Sequence, residues 1–229
     1  MILAIDIGNT NTVLGCFSGE KLIFRERIST KREATDLEYA AMIKTALDMY
    51  AIAPRQIRGS IMSSVVPSIT NTLKRAIEKL AGIDTIVIGP GIKTGLSIKI
   101  DNPAQLGSDL VADAVGAIQE YPLPQIIIDM GTATTFSVID KTRSYIGGMI
   151  TAGMAISAEA LVRSTSQLSK VDFEKPKKMI GTNTVDCIKS GLMYSTACSL
   201  DGMIERIENE LGEECTVIAT GGLAGVITP

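Results

Sequence analysis

The chain has 229 residues, 22 Lys+Arg against 25 Asp+Glu, and no histidine. A net charge of −3 without a basic block argues against a nucleic-acid binder, and 4% aromatics without Trp argue against base-stacking platforms. The missing histidine removes Ser-His-Asp and Cys-His catalysis and His-containing zinc sites, so a catalytic base is a carboxylate, Lys, Tyr or Cys.

The first predicted element is a strand at Ile2 to Ile7. A turn at Gly8-Asn9-Thr10-Asn11 leads to a second strand, Thr12 to Phe17, and a turn at Ser18 to Lys21 leads to a third, Leu22 to Ile28. A helix follows, capped by Thr35 or Asp36, with Leu37, Ala40, Ala41, Leu47 and Tyr50 tracing an apolar stripe. Ile61 to Val66 reads as a strand. Pro67 opens a helix that turns Ile69, Leu73, Ile77 and Leu80 inward and stops at Gly82. Thr85 to Ile88 is a strand running into the loop Gly89-Pro90-Gly91-Ile92-Lys93-Thr94-Gly95. Its spacing fits neither Walker A nor GxGxxG. Another helix starts at Gly107-Ser108-Asp109, with Leu110 or Val111, Ala114, Val115 and Ile118 inward.

Tyr121 to Pro124 reads as a linker, which divides the chain into lobes 1–120 and 121–229. Beyond it come strands at Gln125 to Asp129, Thr135 to Ile139 and Arg143 to Ile150. Helical patterns at about 152–167 and 183–211, a strand at Thr216 to Ala219 and the loop Thr220-Gly221-Gly222-Leu223 complete the order. Strands mixed with crossover helices imply a layered α/β protein. Cys16, Cys187, Cys198 and Cys215 form no CxxC pair and read as small buried apolar residues of a reducing cytosol. The N-terminus has neither a basic n-region nor a long apolar run, so a cytoplasmic chain is expected.

The chain repeats itself. Asp6-Ile7-Gly8-Asn9-Thr10-Asn11-Thr12 after one apolar strand aligns with Asp129-Met130-Gly131-Thr132-Ala133-Thr134-Thr135 after another, at an offset of 129 − 6 = 123 residues. A turn that holds phosphate needs converging backbone N–H groups, short hydroxyl or amide donors, and a carboxylate for the accompanying cation. Both copies have this make-up, and one such turn alone would read as an ordinary Asx-turn hairpin. The expected arrangement has the two hairpins facing one another across a cleft and gripping one triphosphate.

These motifs resemble the acetate kinase/actin/sugar kinase superfamily and, more narrowly, the type III pantothenate kinases. The same resemblance runs through Asp101-Asn102-Pro103, Gly107-Ser108-Asp109, Gly147-Gly148 with Thr151-Ala152-Gly153, and Gly181-Thr182-Asn183-Thr184. It implies duplicated ribonuclease H-like (actin-like) domains, each a mixed sheet with flanking helices. It also implies ATP-dependent phosphorylation of pantothenate, the first step of coenzyme A synthesis.

On that resemblance Asp6, Ile7, Gly8, Asn9, Thr10, Asn11, Thr12, Val13 and Thr132 bind ATP. Gly107, Ser108, Asp109, Leu110 and Thr184 bind the acceptor. Asp109 is the proton acceptor, Asp129 holds potassium or ammonium, and Asp6 contacts magnesium through water. A homodimer, with no membrane or nucleic-acid partner, completes the expectation.

The chain departs from the family at two positions. Leu110 stands where an Arg contacts the acceptor, and Ile100 where Tyr is common. These changes keep open a second reading, a nucleotide-binding regulator with an altered acceptor pocket. Family members also run some tens of residues past the Thr-Gly-Gly segment, ending in a last helix.

Overall fold

Alternation along the first strand decides which side of the first sheet becomes core. In β1 (Ile2–Ile7), Leu3, Ile5 and Ile7 are buried while Ile2 and Asp6 are exposed. The buried side meets α1 (Asp36–Met49) and α2 (Pro67–Ala81), which supply Tyr39, Ile43, Leu47, Ile69, Leu73 and Ile77 to one cluster. Each large apolar side chain buried this way contributes about 1.5–3 kcal/mol. A slip of one residue would bury Asp6 in place of Ile5 or Ile7, so the core also fixes Asp6 on the opposite face.

The computed structural model describes residues 1–227, and they form two compact units. The first comprises Met1–Thr94 with Asn102–Ala112, and the second Gly95–Asp101 with the chain from Asp113 on. The division therefore falls inside α3 (Ser108–Glu120), whereas the composition of Tyr121 to Pro124 suggests a linker after that helix.

The first sheet has the order β3-β2-β1-β4-β5. β1, β2 (Asn11–Ser18) and β3 (Lys21–Ser29) are antiparallel, as the turns imply. β4 (Gly59–Ser64) lies parallel to β1, and β5 (Thr85–Val87) parallel to β4. The second sheet has the order β10-β7-β8-β9-β6. Here β7 (Gln125–Met130), β8 (Ala133–Ile139) and β9 (Ser144–Ala152) are antiparallel, and β10 (Thr216–Thr220) is parallel to β7. Three meandering strands with a parallel strand beside the first thus recur in both units, as the repeat requires. α4 (Met154–Arg163), α5 (Thr184–Leu211) and α6 (Ala224–Ile227) complete the second unit. Leu200 of α5 and Ala224 of α6 pack with Ile126, Ile128, Met130 and Phe136.

Three details differ from the sequence reading. β6 (Ser97–Ile98), a two-residue strand parallel to β9, was too short to show an alternation. The buried stripe of α1 is Tyr39, Ala40, Ile43, Ala46 and Leu47, with Leu37 69% exposed. The expected stripe included Tyr50, which is the C-cap residue, and passed over Tyr39, which is buried with its hydroxyl bonded to backbone. The four cysteines are free, as expected, but Cys187 and Cys198 are exposed and only Cys16 is buried. Among the described residues, no helix is long and apolar enough to cross a membrane.

Caps set the helix ends. Thr35 and Glu38 form a reciprocal capping box on α1, and Gly82, at φ +69°, ends α2 in the left-handed conformation. Tyr39 ties α1 to the chain leaving β3. Its hydroxyl accepts from the Lys31 N–H and donates to the Lys31 carbonyl, each at 2.9 Å. Tyr39→Phe leaves both backbone groups without that partner, and the expected cost is about 1–3 kcal/mol. Urea melts of the two proteins measure it, and equal midpoints would show that water replaces the hydroxyl.

Candidate active site

The carboxyl ends of parallel strands β1 and β4 gather the first group of polar side chains. Asp6 and Ser63 are register partners across that pair. The Val65 N–H donates to the Ile7 carbonyl at 3.0 Å, holding the two strand ends together. Ser108, the first residue of α3, is buried against them. Its Oγ accepts from the Ser64 N–H at 2.9 Å, lies 3.0 Å from the Ser64 carbonyl, and sits 3.1 Å from Ser63 Oγ. The start of α3 is thereby fixed to the end of β4, and Asp109 with it.

Asp109 Oδ1 accepts from the Leu110 N–H at 2.8 Å. A Cβ on Gly107 would lie 2.4 Å from Asp109 Oδ1. Glycine at 107 therefore leaves the space that the Asp109 carboxylate occupies.

Asp6 and Asp109 are electrostatic neighbours within the first unit. Burial pushes the Asp6 carboxyl up from its ordinary value, the Asp109 charge pushes it further, and a hydrogen bond from Ser63 opposes both. Asp6 nevertheless keeps exposed surface, so solvent or a ligand reaches it. Two carboxylates within electrostatic reach of each other form a place for positive charge. Among the described residues, no group of three or more Asp, Glu, Cys or His could hold a metal by itself. That fits magnesium, which keeps much of its water and is held chiefly by substrate phosphates with one or two carboxylates.

The first turn, between Ile7 and Thr12, is braced from outside. Gly8 N–H donates to the Asn11 carbonyl at 2.9 Å. Thr30, just after β3, donates its N–H to the Thr10 carbonyl at 3.0 Å and its hydroxyl to the Gly8 carbonyl at 2.8 Å. Thr30 Oγ1 also lies 2.9 Å from the hydroxyl of buried Thr12.

The second turn is one residue shorter. Ile7 pairs with Thr12, but Met130 pairs with Thr134. The ungapped match of Thr12 to Thr135 is therefore displaced by one. Thr134, buried like Thr12, is its structural counterpart.

Asp129 stands at the carboxyl end of β7, with Thr135 as its antiparallel partner and Thr220 as its parallel partner. Gly221, at φ +91°, lies so close that a Cβ would come within 2.3 Å of Asp129 Oδ1. A Cβ on Gly153 would come within 2.5 Å of the Gly131 and Thr132 carbonyls. The Leu223 N–H donates to the Met130 carbonyl at 3.2 Å. Thr-Gly-Gly-Leu thus lies against the second turn. Thr135 Oγ1 is buried without a hydrogen-bond partner. A carboxylate and an orphaned hydroxyl on adjacent strands are oxygen donors of the kind a monovalent cation accepts.

Of the sequence candidates, the structure brings together Asp6, Ser108 and Asp109 in the first unit, and Asp129 with Gly131, Gly153 and Gly221 in the second. Leu110 is half-buried in the first turn of α3 and carries no charge. Thr184 is exposed at the first position of α5, after Asn183, whose side chain caps that helix. Sequence reasoning missed Ser63, Ser64, Thr30 and Tyr39. Ser63 and Ser64 had a usable signal, since ligands gather at the carboxyl ends of parallel strands and both serines end β4.

Two units of this topology, each with a small-residue turn and an aspartate at the end of its first strand, define the duplicated ribonuclease H-like, actin-like class. Solved structures agree on the fold. An activator of 2-hydroxyisocaproyl-CoA dehydratase from Clostridium difficile, with bound ADPNP, matches at TM-score 0.59 and 14% identity, covering 99% of this chain and 81% of that one. Component A of (R)-2-hydroxyglutaryl-CoA dehydratase from Acidaminococcus fermentans matches at TM-score 0.56 and 15% identity, covering 99% and 86%.

Sequence comparison is narrower. A family model for type III pantothenate kinase matches residues 2–206. The type III pantothenate kinase of Halalkalibacterium halodurans is 43% identical over 99% of this chain and 89% of its own. That of Bacillus cytotoxicus is 44% identical over 99% and 87%. The chain belongs to the type III pantothenate kinase family.

The raised Asp6 carboxyl carries a sign that can be tested. A group protonated more readily when folded adds stability below its unfolded pKa, and that stability is lost as pH rises through its folded value. Ligand-free Asp6→Asn should therefore gain melting temperature over wild type at about pH 7, and the gain should shrink towards about pH 4. Thermal melts at both pH values check this. A variant less stable at the higher pH would mean that Asp6 supports the fold.

Proposed function

We propose that this protein is an ATP-dependent pantothenate kinase that transfers the γ-phosphoryl group to the primary alcohol of pantothenate. The products are ADP and 4′-phosphopantothenate, and the reaction is the first step of coenzyme A synthesis. The observation that carries the reading is the Ser63–Ser108 junction, which holds Asp109 beside Asp6 in a chain whose relatives bear this name along nearly their whole length.

Phosphoryl transfer needs positioning and neutralised charge more than covalent help. The backbone amides and small side chains from Asp6 to Val13 take ATP phosphates, with Thr132 contacting ATP from the second repeat. Asp6 would hold the magnesium that accompanies the nucleotide, through water, and Asp129 would hold potassium or ammonium. These ions neutralise phosphate charge when bound.

Gly107, Ser108, Asp109 and Leu110 face the acceptor, joined by Thr184. Asp109 accepts the hydroxyl proton as the oxygen bonds to the γ-phosphorus and the bond to the ADP oxygen breaks. Glycine at 107 and the bond from the Leu110 N–H keep that carboxylate in one orientation. Because Leu110 brings no charge, the pantothenate carboxylate takes its cation from another residue.

A homodimer belongs to the same reading. Ile150 on β9 and Ile180 before α5 are 75% and 81% exposed, and Ile156, Met179 and Val185 of the same unit are also exposed. Apolar side chains this exposed within one unit favour a partner surface, and a second copy is the simplest occupant. A cytoplasmic setting suits four free cysteines and a nucleotide substrate.

The deciding experiment couples ADP release to an optical signal, with and without pantothenate, in potassium and in sodium buffer. Pantothenate-dependent turnover that falls in sodium is expected. Asp109→Asn should lose about 10²-fold or more in turnover while keeping its affinity for ATP. Equal loss of transfer and ATP binding would make Asp109 a structural residue. ADP release indifferent to pantothenate in a dimeric preparation would remove the proposed function.

A further inference from the structure

A cation stands beside the first phosphate turn. Arg32 is exposed, and its Nη2 donates to Asn9 Oδ1 at 3.1 Å. That bond uses one of five guanidinium N–H groups. Among the described residues, Arg32 forms no ion pair. The bond also orients Asn9: with Oδ1 turned to Arg32, the amide NH2 of Asn9 is the end left to donate elsewhere.

The segment carrying Arg32 is anchored on both sides. Thr30 is bonded to the Thr10 and Gly8 carbonyls, and the backbone of Lys31 is held by buried Tyr39. Arg32 is therefore delivered to the turn by a fixed stretch of backbone.

The duplicated frame supplies an internal comparison. After β9, the Gly153 N–H donates to the Thr132 carbonyl at 3.2 Å, as the Thr30 N–H does to Thr10 after β3. Thr30 and Gly153 are separated by 153 − 30 = 123 residues, the offset of the repeat. The position 123 residues on from Arg32 is Ala155, inside α4, so the offset that carries the brace carries no charge at that position. The bracing bond recurs in both units, and the Arg32 side chain is an addition of the first.

We propose that Arg32 is a binding residue for the nucleotide's polyphosphate, with its remaining N–H groups meeting phosphate oxygens while Asn9 is held to donate alongside it. Guanidinium suits this because its fork matches two phosphate oxygens at once. The inference rests on the reading of the first turn as an ATP site.

The test is titration calorimetry of the full chain with ATP, ADP, adenosine and inorganic tripolyphosphate, using wild type, Arg32→Ala, Arg32→Gln and Arg75→Ala. Arg75, on α2, pairs with Asp36 and controls for the change in net charge. Arg32→Ala should bind ATP and tripolyphosphate about tenfold more weakly, with adenosine unchanged and the deficit smaller at high salt. Arg32→Gln keeps an N–H donor for Asn9 but not the charge, and should stay weak. Arg75→Ala should match wild type. Full affinity in Arg32→Gln would reduce Arg32 to a staple on Asn9 and overturn the proposal. Wild type and Arg32→Ala binding ATP equally well would overturn it alone, leaving the kinase reading intact. Wild type that binds neither ATP nor tripolyphosphate would overturn both.

Discussion

Everything at the first turn depends on which face of β1 is buried. Leu3, Ile5 and Ile7 commit one face to α1 and α2, and Asp6 follows as the polar residue on the other. β4 then adds Ser63 on that same row, and the Ser63–Ser108 contact brings in Asp109. The result is a pair of carboxylates in which burial and the Asp109 charge disfavour the ionised form of Asp6. A fold keeps such a pair only where packing over-determines it, and here the apolar side of the same strand does so.

Much of this was legible in the sequence. Strand alternation, Pro67 opening one helix, Gly82 closing it, and Thr35 or Asp36 as a cap are local signals, and local signals carry element type and order. The repeat gave the architecture, because a 123-residue offset in a strand-turn motif has few meanings other than duplication. Three kinds of feature stayed hidden. A strand of two residues, Ser97–Ile98, has no period to detect. The one-residue difference between the two turns appears only in the strand register. The partners of Asp6 are distant in sequence, since Ser63 comes to it through strand pairing and Asp109 through the start of a helix.

The two halves also show what duplication preserves. Sheet topology, the aspartate ending the first strand, and the backbone bond bracing the turn recur. What differs lies around them. Thr30 supplies a hydroxyl and Arg32 a charge at the first turn, while Gly153 and Gly221 bring backbone close at the second. Side chains decorate one turn and bare backbone crowds the other.

The most direct test is the titration of the Asp6 carboxyl by NMR, followed in the free protein and with magnesium and a non-hydrolysable ATP analogue. The expected result is a pKa above the ordinary aspartate value in the free protein that falls when the magnesium nucleotide binds, with protons released in that acid range. An Asp6 that titrates normally in the free protein, or whose titration the nucleotide does not move, would contradict the account.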